Sequence, residues 1–247
     1  MIELKGITKS FANTQVLGPI DLDIPAGETT VLIGPSGCGK STLLRIMIGL
    51  IPPDTGAARF EGTIVNPETS LTIRRKMGYV IQEGGLFPHL TAHGNVTLMA
   101  RHLGWPSARV EKKVDELAAL TQFPQDGLDR YPAQLSGGQR QRVSLMRALM
   151  LDPHVLLFDE PLGALDPMIR ADLQNDLKQI FQTLKKTVVM VTHDIGEAGF
   201  LGDRLVLLRH GQVVQKGTIH DLVNKPEDPF VTSFINAQRS PLETLQA

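Results

Sequence analysis

The sequence predicts an α/β fold in which a parallel sheet is covered by helices on both faces and interrupted by a helical insertion. Three observations carry this. Thr30-Val31-Leu32-Ile33, Val155-Leu156-Leu157-Phe158 and Val188-Val189-Met190-Val191 are short, wholly apolar or β-branched runs, the pattern of strands buried on both faces. Segments of helical period alternate with them, as a parallel sheet requires of its crossovers. The stretch from Asn95 to Leu151 is helical in pattern and holds no such run.

Taken in order, Ile2-Leu4-Ile7 and Ile20-Leu22-Ile24 alternate with polar residues, the period of half-buried strands. Pro25-Ala26-Gly27 is a turn, and the buried strand Thr30–Ile33 leads into a glycine-rich loop. A helix is expected over Ser41–Ile51, stopped by Pro52-Pro53. Two more are expected at Asn95–Leu103 and Arg109–Leu120, parted by Gly104-Trp105-Pro106. The second of these places Val110, Val114, Leu117 and Ala118 on one face. Ser136 opens a helix reaching about Leu151. Between the last two buried strands, Ile169, Leu173, Leu177, Ile180 and Leu184 form the inner stripe of a helix capped by Asp166-Pro167. Leu205–Leu208, a His210-Gly211 turn and Val213-Val214 make a hairpin, and two short helices finish the chain.

With 247 residues, 42% of them hydrophobic, and a net charge of −1, the chain can bury a core but lacks the basic footprint of a nucleic-acid binder. Its single cysteine, Cys38, excludes a disulfide framework. No apolar run approaches the ~20 residues that span a bilayer. Met1-Ile2-Glu3-Leu4-Lys5 lacks the order of a secretory signal, so a cytosolic protein is expected, reaching any membrane through a partner.

Gly34-Pro35-Ser36-Gly37-Cys38-Gly39-Lys40-Ser41 fits G-x-x-x-x-G-K-[ST] between a strand and a helix, the context of a phosphate-binding loop. Its backbone N–H groups and the helix N-terminus attract phosphate, Lys40 reaches the β- and γ-phosphates, and the Ser41 hydroxyl ligates Mg²⁺. The strand Val155–Phe158 ends in Asp159-Glu160, at the edge of a parallel sheet where ligands bind. Asp159 is expected to hold Mg²⁺ through water, and Glu160 to orient or deprotonate an attacking water.

A second anion site follows at Leu135-Ser136-Gly137-Gly138-Gln139, a serine cap and two glycines opening a helix. It contains no lysine and no evident metal ligand, so it makes sense as half a nucleotide site, completed by another molecule.

With these motifs the sequence resembles the ATP-binding subunit of ABC transporters over nearly its whole length. Gly34–Ser41 matches the Walker A segment, Leu135–Gln139 the signature and Val155–Glu160 the Walker B strand. Ala164-Leu165-Asp166 resembles the D-loop, His193 the switch histidine and Gln82 the Q-loop glutamine. The resemblance implies a P-loop NTPase (RecA-like) core with an N-terminal antiparallel β-subdomain and an inserted α-helical subdomain. It divides one nucleotide-binding domain over 1–247 into a core (1–82 and 152–235), an insertion (83–151) and a tail (236–247). It further implies a head-to-tail dimer enclosing two Mg-ATP. Ser136, Gly137 and Gly138 would contact the partner's γ-phosphate, Gln139 would support that loop, and His193 would contact the γ-phosphate of its own subunit. Gln82 would approach Mg²⁺ and water, Asp166 would align the two sites, Thr42 would follow Ser41 at the nucleotide, and Phe11 would stack on adenine.

Gly85–Thr91 resembles the groove that receives a helix of the membrane subunit. Transmembrane permease subunits and, indirectly, a substrate-binding protein are the implied partners, at the inner face of the cell membrane, with no nucleic acid. Arg74–Gln82 with Gly85–Thr91, and Asp159–Pro167, look most like bacterial importers, and the nearest resemblance is to importers of glycine betaine, choline or carnitine, with amino-acid or polyamine import open. Many of those carry a C-terminal regulatory domain, and none follows Ala247 in this sequence. A soluble ABC ATPase or a simple P-loop kinase would share some motifs. The kinase would leave Leu135–Gln139 without a purpose.

Overall fold

The structure, a computed structural model, describes residues 1–82, 84–163 and 165–238. Ala164 of the D-loop resemblance and the tail from 239 onward lie outside the described residues. The chain separates into two units, Met1–Asn66 with the chain from Val189, and Pro67–Val188.

In the first unit, β1 (Ile2–Phe11) and β2 (Thr14–Ile24) form an antiparallel hairpin. Ile2, Leu4, Ile7, Ile20, Leu22 and Ile24 are its buried face, as their alternation requires. The odd spacing from Leu4 to Ile7 is absorbed by a register shift there, which returns Ile7 to the inner side. β4 (Thr55–Phe60) and β5 (Thr63–Ile64) extend this sheet in the order β2-β1-β4-β5. The sequence pattern does not announce β4, because Thr55-Gly56-Ala57-Ala58 has poor strand propensity. Its place is set by pairing with β1, Ile2 opposite Phe60 and Leu4 opposite Ala58.

β3 (Thr29–Ile33) is buried along all five residues and pairs in parallel with β9 (Arg204–Arg209). The expected hairpin joins β9 to β10 (Gln212–Gly217). Its turn residues His210 and Gly211 both have positive φ, the I′ geometry that matches strand twist. β8 (Thr187–Val191) begins in the second unit and ends in the first, wholly buried. α7 (Ile195–Leu201), capped by Asp194, is too short to have shown a period in the sequence. α8 (Ile219–Asn224) and α9 (Pro229–Asn236) are the two terminal helices.

Helix α1 runs over Lys40–Met47, shorter than the expected Ser41–Ile51. Pro52-Pro53 does not stop it. Gly49, at φ 70°, ends it first. The amide of Gly49 donates to Ile46 O at 3.0 Å and that of Leu50 to Arg45 O at 2.8 Å, the paired bonds of a left-handed C-terminal cap.

In the second unit, α2 (Ser70–Arg74) precedes β6 (Met77–Val80), which pairs in parallel with β7 (Val155–Asp159). α3 covers Ala92–His102 and begins three residues before the expected Asn95, because Thr91 caps it by accepting from Gly94 N at 3.1 Å. α4 (Ser107–Leu120) buries Val110, Val114, Leu117 and Ala118, the face its period predicts. α5 (Gly137–Leu149) starts at the Ser136 cap. α6 (Pro167–Leu184) starts at Asp166, whose carboxylate accepts from Ile169 N at 3.1 Å. Its buried stripe is Leu173, Leu177, Ile180 and Phe181, while Ile169 and Leu184 at its ends are half-buried. The predicted α/β fold is therefore present, with parallel pairs in both units. Among the described residues no helix is long and apolar enough to cross a membrane.

Candidate functional site

The first unit holds the phosphate loop. β3 ends at Ile33, and the chain turns at Gly34 with φ 145°. A Cβ at Gly34 would lie 2.2 Å from the carbonyl oxygen of Leu208 in β9, so only glycine lets the loop leave the sheet there. The β9–β10 turn braces the far side, since Gly211 N donates to Cys38 O at 3.2 Å. Pro35, Ser36 and Gly37 are exposed, Cys38, Gly39 and Lys40 are buried, and Ser41 and Thr42 are half-buried. The Lys40 ammonium donates to Gly34 O at 2.7 Å and Pro35 O at 3.0 Å, so the cation is gathered into the concave side of its own loop. Burial pushes the Cys38 thiol above its ordinary value, and the neighbouring Lys40 cation offsets this only in part.

His193 is brought to the same place. It follows β8, and its neighbours fix the backbone on both sides. Thr192 N donates to Leu32 O at 3.2 Å, and the Thr192 hydroxyl donates to buried Glu197 at 2.6 Å. Asp194 accepts from Gly196 N and Glu197 N at 2.7 and 3.0 Å, capping α7. His193 itself is exposed, and with Gly34, Pro35, Asp194, Phe234 and Gln238 it lines an open depression of about 330 Å³. Phe11, 45% exposed, stands at the tip of the β1–β2 hairpin with Lys9 Nζ 5.5 Å from its ring centre.

The second unit holds the acidic residues. Asp159 ends β7 and is 5% exposed, and the Tyr79 hydroxyl of β6 donates to its Oδ2 at 3.3 Å. Glu160 adopts φ 48°, a left-handed conformation that costs a non-glycine residue of order 1 kcal/mol and collects at functional sites. Glu160 lies just past the end of β7, so the strand's alternation no longer sets where its carboxylate points. Gln82 is exposed just beyond β6.

Ser136 and Gln139 form a capping box: Ser136 Oγ accepts from Gln139 N at 3.2 Å, and Gln139 Oε1 accepts from Ser136 N at 3.0 Å. Each side chain thus accepts from the other residue's backbone N–H, which leaves the amides of Gly137 and Gly138 without an intrahelical acceptor at the start of α5. Ser136, Gly138, Gln139, Arg142, Ile169 and Asp172 line an open cavity of about 350 Å³. The cavity brings the serine-glycine helix start beside the first turn of α6, where Asp166 is the cap.

The segment 87–91 is held by one side chain. Asn95, fully buried, accepts from Phe87 N at 2.7 Å and donates to Phe87 O, Leu90 O and Thr91 O at 3.0–3.1 Å. Phe87 stays 43% exposed, as do Leu98 (38%) and Met99 (42%) on α3. Motif spacing does not point to Tyr79, Thr192, Asp194 or Asn95. Of these, only Asp194, at a helix start just after a strand, carries a readable signal.

A family model described as ABC transporter matches residues 17–163. The glycine betaine/carnitine/choline transport ATP-binding protein OpuCA of Bacillus subtilis (strain 168) is 42% identical over 240 residues, covering 97% of this chain and 63% of that protein. The osmoprotectant import ATP-binding protein OsmV of Salmonella typhimurium is 43% identical over 246 residues, covering 97% and 64%. The chain thus spans somewhat under two thirds of the length of these relatives. Among solved structures, a dimeric post-hydrolysis state of the ATP-binding cassette MJ0796, bound to ADP and Pi, matches with a TM-score of 0.80 and 34% identity. It covers 89% of this chain and 99% of that one.

Proposed function

The chain belongs to the ABC transporter family of ATP-binding proteins, and from that membership we propose that it is the ATP-hydrolysing subunit of an importer for a quaternary ammonium osmoprotectant. The observation that carries the reading is the presence of two anion-receptive helix starts, of which only α1 has a lysine. The second is useful only if it closes on nucleotide held by another copy, and the dimeric ADP- and phosphate-bound cassette supports that reading.

The chemistry follows residue by residue. Gly34–Thr42 wraps the phosphates of ATP. Lys40 exchanges two carbonyl acceptors for phosphate oxygens, so its charged donor gains an anionic partner. A serine hydroxyl at Ser41, a carboxylate at Asp159 and an amide at Gln82 are an all-oxygen set that suits Mg²⁺, an ion bound through few protein ligands together with phosphate and water. When bound, Mg²⁺ offsets charge on the β- and γ-phosphates. Glu160, turned out of its strand, receives the proton of the attacking water. His193 holds the γ-phosphate. Phe11, exposed at its hairpin tip, stacks on adenine. Ser136, Gly137 and Gly138, supported by Gln139, bind the γ-phosphate held by the partner copy, and Asp166 aligns the two sites. Hydrolysis removes the anion that joins the copies, which makes the dimer a two-state device.

Phe87, Leu98 and Met99 form the exposed apolar surface that docks permease subunits at the cytoplasmic face of the membrane, and a separate binding protein delivers the substrate. Reconstitution in proteoliposomes with the cognate permease and binding protein tests this. Uptake of glycine betaine, choline or carnitine with stimulated ATP hydrolysis is expected. Stimulation by an amino acid or polyamine alone refutes the substrate class, and failure to associate with any permease refutes the transport role.

A further inference from the structure

Gln82 is useful only if its loop is held, and the structure holds it from one helix. On the near side, β6 lies against the backbone of α5 so closely that a Cβ on Gly78 would meet Ala148 O at 2.6 Å. On the far side, Gly84 and Gly85 take φ 77° and 52°, consecutive left-handed residues that turn both carbonyls toward α5. Arg147 reaches them with its two terminal nitrogens, Nη2 donating to Gly84 O at 2.9 Å and Nη1 to Gly85 O at 2.8 Å. The Ser144 hydroxyl, one turn earlier, donates to Gly84 O at 2.9 Å. The guanidinium spends a planar fork on two adjacent carbonyls, a geometry lysine cannot copy. Burial pulls its pKa below the ordinary arginine value, so the charge is kept at a desolvation cost that these bonds offset.

We propose that Arg147, assisted by Ser144, is a positioning residue for Gln82, strapping the loop behind it to the helix whose N-terminus is the Ser136 cap. The glutamine and the serine-glycine cap then belong to one rigid piece, so a displacement at either end of α5 is carried to the other. A helix of 13 residues spans ~20 Å, long enough to connect two functions and short enough to stay straight. The inference deepens the reading above, since it rests on Gln82 acting at the nucleotide.

The test uses the full chain with Arg147→Ala, Arg147→Lys and Ser144→Ala. Hydrogen exchange at the Gly84 amide, bonded to Ile81 O at 3.0 Å, reports the strap itself. It is expected to speed up at least ~10-fold in Arg147→Ala, less in Arg147→Lys and Ser144→Ala, with α5 amides unchanged in the last two. ATP turnover should fall ~10-fold in Arg147→Ala with KM for ATP within ~2-fold, and Arg147→Lys should recover only part of it. In a Gln82→Ala background the Arg147→Ala loss should shrink to under ~2-fold, the sign of two residues acting through one another. Unchanged exchange at Gly84, or an Arg147 effect of equal size in both backgrounds, overturns the proposal. If Gln82→Ala turns over normally, the role given to Gln82 falls and this use of the strap falls with it, even where exchange shows the strap intact.

Discussion

Cys38 illustrates how a single side chain inside the phosphate loop is decided by burial. A thiol near a helix N-terminus and a lysine invites a thiolate reading, since both lower its pKa. Burial outweighs them and raises the value above the ordinary 9.0. The sign is that the neutral thiol is favoured, so the thiolate fraction at any pH below this is smaller than in a free cysteine. Alkylation by iodoacetamide should therefore be at least ~10-fold slower than that of glutathione at pH 8, with a rate midpoint above 9.0. A midpoint under 8 would contradict the burial argument. Motif spacing alone names Lys40, Ser41, Asp159 and Ser136, because phosphate chemistry restricts which residue types can serve, while His193 is named only by the family resemblance. It does not name Tyr79, Thr192 or Asn95. Their roles are to hold other groups, and many residue types at many spacings can do that.

At the scale of elements, helix starts are legible where a cap residue stands out in the sequence, while the Thr91 cap that opens α3 ahead of Asn95 does not. α5 and α6 begin at Ser136 and Asp166 as expected. α1 ends earlier than its proline pair suggests because a glycine two residues past the last helical residue closes it with backbone bonds. β4 is unreadable from propensity and exists through its partner strand. The junction of α4, α5 and α6 is likewise invisible in sequence. Arg142 donates to Asp176 at 2.6 Å and to the carbonyls of Thr121 and Gln122 at 2.6 and 3.1 Å. The pair is largely buried, with side-chain exposures of 20% and 15%. Removing the cation leaves Asp176 and two carbonyls short of donors. Arg142→Leu should cost about 2–3 kcal/mol of unfolding free energy, measured as a lower urea midpoint at unchanged slope. A shift under ~0.5 kcal/mol would mean that water replaces these bonds freely.

At the scale of the whole molecule, the α/β class and the half-buried strands near the N-terminus follow from periodicity, since strands buried on two faces and on one face read differently, while their antiparallel sheet is implied by the family resemblance. The relation between copies is not a folding property. It is legible only because half an anion site, the lysine-free helix start at Ser136, has no purpose within one chain. Two copies are therefore expected to close around nucleotide. Glu160→Gln retains the loop but loses the group assigned to deprotonate water, a loss of at least ~100-fold in turnover on the scale of other catalytic deletions. Sedimentation velocity of this variant with Mg²⁺ and ATP should give a dimer that reverts to monomer with ADP, and Gly137→Glu in the same background should abolish it. A chain that stays monomeric with Mg-ATP, alone and with the proposed permease subunits, would contradict this dimer.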